Sequence, residues 1–190
     1  MYGNQKNDNL NLLEAVVQNT EMGKNTLEQI VPMTDDVQFK AELLRQRNVY
    51  HQLNQEAHTA IEACGGTAQG QSAMAKLNTK MGISMKTLTD KSTRNLAEML
   101  TQGSGMGVVD CVKAQKDYPN AAPGAKRLAQ RLQEFQEDSR VKLEQFFVKE
   151  NPLRLTLFAS SLEGRAIGKT ENVSGMSKAP PFGGAGNAKH

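Results

Sequence analysis

Tryptophan is absent from this 190-residue chain, and aromatic residues make up only 5% of it. Large aromatic cores and base-stacking platforms for single-stranded nucleic acid are therefore not expected from composition. Aliphatic side chains and nine methionines must fill the interior. Only two cysteines occur, Cys64 and Cys111, both inside helical patterns and without metal-type spacing. They fit a reducing cytosol, where a free cysteine packs as a small apolar group. No apolar run approaches the ~18 residues of a membrane span. The polar start, Met1 to Asp8, lacks a signal-peptide core, so a cytoplasmic protein is expected.

Net basic charge is also scarce where it would matter. The formal charge is +3. Beyond residue 150, Arg154, Arg165, Lys169, Lys178 and Lys189 stand against Glu163 and Glu171, which accounts for all of it and leaves the first 150 residues neutral. A concentrated basic face, the electrostatic footprint of nucleic-acid binding, is not expected.

What is present is helical periodicity. The first pattern runs from about Asn9 to Val31, with Asn7, Asp8 and Asn9 as capping candidates and an apolar stripe of Leu13, Val16, Val17, Thr20, Gly23, Leu27, Ile30 and Val31. Pro32 stops it. The second, Asp36 to Cys64, holds no Gly or Pro and ends at Gly65-Gly66; its inner face reads Phe39, Leu43, Tyr50, Leu53, Ala57, Ile61 and Cys64. A third pattern, about Ser72 to Leu88, carries Met74, Leu77, Met81 and Met85, read as core filling. A fourth runs from Thr93 to Tyr118, where Gly103-Ser104-Gly105-Met106-Gly107 predicts a kink or break. Pro123 opens a regular last helix to about Lys149. The pattern predicts an all-α bundle over residues 9–150. Residues 151–190 hold six of the 16 glycines and three of the six prolines and read as a flexible, basic tail.

Such a bundle can carry a dinuclear iron or manganese centre when inward glutamates and Glu-x-x-His pairs converge. Here the helix-two pairs are Asn48-x-x-His51 and Gln55-x-x-His58, with amides where carboxylates are required. With Tyr50, Ala57 and Cys64 on the inner seam, His51 and His58 face outward, and Glu62 offers His58 a surface partner at i+4. The last helix has Glu134-x-x-Glu137 and places Ser139 inward; Glu14, Glu21 and Glu28 read as a solvated stripe. No metal site, catalytic residue or cofactor is expected; were a metal bound, the candidates are Glu21, Gln55, His58 and Glu137. Thr20, Gly23, Ser84 and Ser139 interrupt apolar faces, either to let helices approach or to line an internal pocket. The Gly103–Gly107 cluster lacks the Gly-Lys-Ser/Thr of a phosphate loop.

Thr20-Glu21-Met22-Gly23-Lys24, the Cys64-Gly65-Gly66 ending, a small helix before the third long one and a last helix rich in Leu and Gln together resemble a bacterial ferritin-like four-helix-bundle family of unknown function, over about residues 10–150. The resemblance implies an up-and-down bundle with an extra helix between helices two and three. It also implies a structural or protein-interaction role in a bacterium, associated with stress or spores, with self-association or a protein partner. Some ferritin-like relatives bind iron through Glu and His, so a metal-binding protein with an atypical site is one alternative. In the tail, Leu155, Leu157, Phe158 and Leu162 resemble the short apolar docking peptides of encapsulated ferritin-like cargo, which makes docking into a larger assembly another.

Overall fold

The computed structural model describes residues 2–67 and 89–148, with side chains for 5–67 and 89–146. Four long helices carry nearly all of these: α1 (Tyr2–Ile30), α2 (Val37–Ala63), α3 (Thr93–Asp117) and α4 (Pro123–Val148). The expected small helix between the second and third long helices, with Met74, Met81, Ser84 and Met85, lies outside the described residues. So does the tail with Leu155, Leu157, Phe158 and Leu162.

Local chemistry sets most helix ends. Pro32 sits in a 3-10 turn, Val31–Met33, that closes α1. Asp36 caps α2, its carboxylate accepting from the Phe39 N–H at 2.9 Å. At the other end, the Gly66 N–H donates to Ile61 O (3.0 Å) and the Gly65 N–H to Glu62 O (2.9 Å). This is a Schellman motif, with Gly65 in the left-handed region at φ 69°. Ser92 caps α3 by accepting from the Asn95 N–H, and Pro123 stands in the first turn of α4.

Two expectations give way to packing. The residues expected to cap the first helix lie inside it, because α1 already begins at Tyr2. Asp8 and Asn9 instead tie down the α3–α4 corner, accepting from the Asn120 N–H (2.9 Å) and the Ala122 N–H (3.3 Å). Nor does the Gly103–Gly107 cluster break its helix, since α3 is continuous from Thr93 to Asp117. Each interior glycine costs ~1 kcal/mol relative to alanine. Ser104 and Gly107 are nevertheless buried in the bundle, and a Cβ on Gly107 would strike the Gln136 amide.

Around the bundle the helices alternate up and down. α1 packs on α2 and α3 on α4, joined by short connections. Asn19 meets Gly107 while Asp8 meets Asn120, so α1 and α3 are antiparallel. Phe39 meets Phe146, Tyr50 meets Phe135 and Glu56 meets Arg131, so α2 and α4 are antiparallel too. In chain order, α2 and α3 consequently run the same way, and the chain between them joins opposite ends of the bundle. Leu12, Val16, Leu27, Ile30, Phe39, Leu43, Ile61, Leu96, Leu132 and Leu143 fill the interior. Among the described residues no helix is long and apolar enough to cross a membrane.

Candidate functional site

Midway along the bundle the apolar seam is interrupted by polar side chains from all four helices. From α1, Asn19 projects inward; from α2, Tyr50; from α3, Ser104 and Cys111; from α4, Gln136. Gln136 is only 2% exposed. Its Nε2 donates to Asn19 Oδ1 at 2.6 Å and approaches the Tyr50 hydroxyl at 3.4 Å. Asn19 Nδ2 donates in turn to Gly107 O (3.1 Å) and lies 3.6 Å from Cys111 Sγ. The Cys111 thiol points to Gln136 Oε1, also at 3.6 Å. Buried amides left unpaired would be costly; these are paired with one another across the bundle.

Two glycines make room for this arrangement. A Cβ on Gly107 would fall 2.2 Å from Gln136 Nε2, and one on Gly23 only 2.4 Å from Tyr50 Cζ. The Tyr50 ring thus lies flush on the α1 backbone, with Phe135 packed edge-on at 4.9 Å. A second polar contact sits beside it. Asn54 Nδ2 donates to Thr20 Oγ1 (2.9 Å), and the Thr20 hydroxyl donates back to the Val16 and Val17 carbonyls. Ser139 is buried, and among the described residues its hydroxyl has no hydrogen-bond partner.

The titratable members of the set stay neutral. Burial pushes the Tyr50 hydroxyl up to about 12, against the opposing hydrogen bond from Gln136. Burial, with the nearby Asp110 charge, pushes the Cys111 thiol up to about 12 as well. Its thiolate, the nucleophilic and metal-binding form, is disfavoured. Amides, a phenol, an alcohol and a protonated thiol do not fit a pair of hard cations, which require anionic oxygen bridges.

Of the residues named from sequence as metal candidates, two meet and two stand apart. Glu21 and His58 come together between α1 and α2, with Oε1 and Nε2 3.8 Å apart. His58 therefore faces Glu21, not the i+4 residue Glu62, which is exposed. Gln55 is exposed on α2, and Glu137 is exposed on α4, accepting from Gln133 Nε2. Among the described residues no group of three or more His, Cys, Asp or Glu side chains could hold a metal ion. His51 is exposed.

Thr20 and Ser139 are the inward polar positions expected from the pattern. Asn19, Asn54 and Gln136 were not singled out, although their spacing carries the signal. Asn19 lies seven residues after Leu12, and Gln136 seven before Leu143, so both repeat a buried leucine at heptad spacing.

A cleft of about 380 Å³ opens beside this network, between α1 and α3. Met22, Met99 and Met106 wall it, and Tyr50, Ser104 and Gln136 reach it from within. No protein-family model, curated protein or solved structure matches the chain.

Proposed function

We propose that this chain is a ferritin-like bundle that performs no catalysis and works as a structural or protein-interaction module of the bacterial cytoplasm, by self-association or through a protein partner. The observation that carries this reading is the chemistry of its centre. Where a dinuclear enzyme of this architecture needs converging carboxylates, the inward side chains are Asn19, Tyr50, Gln136 and Ser139. Such residues fix how the helices sit and leave the outer faces to make contacts. Exposed apolar side chains support that reading: Met106 is 67% and Val109 50% exposed, one turn apart on α3.

Sedimentation velocity tests self-association. Species larger than the 20.8 kDa monomer should appear as concentration rises and diminish on Val109→Glu. A monomer at all concentrations overturns self-association.

The 3.8 Å approach of Glu21 and His58 favours one further reading, an atypical surface metal site. Metal analysis of the purified chain decides it. Stoichiometric iron or manganese, lost on Glu21→Ala or His58→Ala, would replace the proposal above. Docking through Leu155, Leu157, Phe158 and Leu162 is the remaining form of the module; deleting 151–190 should abolish co-purification if it holds.

A further inference from the structure

The cleft between α1 and α3 is more than a packing defect. It measures about 380 Å³, within the range of small-molecule sites. Its walls include Met22, Met99 and Met106, whose unbranched side chains adapt to varied apolar shapes. Gly103 is among its lining residues, and a Cβ there would meet nothing within 4 Å, so a larger side chain can be built at that position without a clash.

Polar groups converge on the same cleft. Gln136, Tyr50 and Ser104 are 2%, 4% and 7% exposed, and all three line it. Among the described residues Gln136 Oε1 receives only the Cys111 thiol, a weak donor, at 3.6 Å. It therefore keeps capacity to accept a stronger hydrogen bond. The Tyr50 and Ser104 hydroxyls add a donor and acceptors beside it. None of the described lining residues is ionised at neutral pH, so a charged guest would be desolvated without a counter-charge from them.

We infer that this cleft is a binding site for a small uncharged molecule with an apolar body and a hydroxyl or amide head. The body lies against Met22, Met99 and Met106, and the head donates to Gln136 Oε1 and reaches the Tyr50 and Ser104 hydroxyls. This goes beyond the interaction role proposed above and does not depend on it. Buried polar groups that pair with a guest's hydroxyl discriminate strongly against analogues lacking it.

The full chain, labelled with 13C at its methionine methyls, tests this with three probes that share one body: 2-naphthol, naphthalene and 2-naphthoate. 2-Naphthol should shift the Met22, Met99 and Met106 resonances saturably and bind more tightly than naphthalene. The anion should bind at least about tenfold more weakly, because nothing in the cleft offsets its lost hydration. Gly103→Leu should remove the shifts while circular dichroism stays helical, since leucine is the better helix former. Met106→Glu, at an exposed position on the rim, should weaken 2-naphthol binding and decides the matter if Gly103→Leu does not fold. Three results would overturn the assignment: no saturable shift with 2-naphthol, equal binding of 2-naphthoate, or binding unchanged in the folded variants.

Discussion

Gly103 and Gly107 stand one turn apart on α3, yet a methyl group added at each meets different surroundings. At Gly103 the space is open, so Gly103→Ala should stabilise the protein by up to ~1 kcal/mol through helix propensity alone. At Gly107 the new Cβ would strike the Gln136 amide. That side chain could move only by giving up its 2.6 Å bond to Asn19, so Gly107→Ala should destabilise by ~1–3 kcal/mol. Urea unfolding of the two variants checks the opposite signs. The same centre sets an alkaline limit. Tyr50 and Cys111 are neutral when protonated, and burial raises both to about 12 from ordinary values of 10.0 and 9.0. The stabilisation this represents is complete below pH 9 and is lost as pH rises toward about 12. Unfolding free energy should therefore fall across that window, and Tyr50→Phe should flatten the part above pH 10. A profile unchanged by Tyr50→Phe would count against a buried, protonated phenol.

The helices differ in how much of each was legible in the chain. α2 was readable to within one residue at both ends, because its signals are local: a capping Asp36, an uninterrupted apolar stripe, and Gly65-Gly66. The left-handed Gly65 carries its own prediction. Gly65→Ala should cost ~1–2 kcal/mol in thermal unfolding through backbone strain, since no neighbour stands within 4 Å of the added carbon. α3 shows the opposite case. Its glycine cluster reads as a kink or break because propensity is additive along a chain, whereas the helix continues through it, with Gly107 packed where a side chain would strike Gln136. Asp8 and Asn9 misled for a related reason: their side chains can cap a helix locally, but here they hold a corner more than a hundred residues away. The candidate site was legible only in part. Thr20, Gly23 and Ser139 stood out as small or polar residues on apolar faces. Asn19 and Gln136 also sat at core spacing, but pairing between α1 and α4 cannot be read from either helix alone.

At the scale of the molecule, the direction of α3 decides the topology. α2 ends beside the start of α1, with Asn9 Nδ2 2.9 Å from Cys64 Sγ, while the end of α3 meets that same region through Asp8 and Asn120. α3 must therefore begin at the far end. Spin labels at the exposed positions Glu62 and Arg94, with the native cysteines replaced, should lie ~38 Å apart, the length of a 25-residue helix. A separation like that of neighbouring helices would contradict this topology. The sequence by itself determined the all-α class, the long helices and the apolar stripe of each, because periodicity and capping are local properties. Only the tertiary structure decided what lies at the centre. Whether an inward amide finds a partner depends on residues from other helices arriving within 3 Å of it, and that proximity exists only once the bundle has closed.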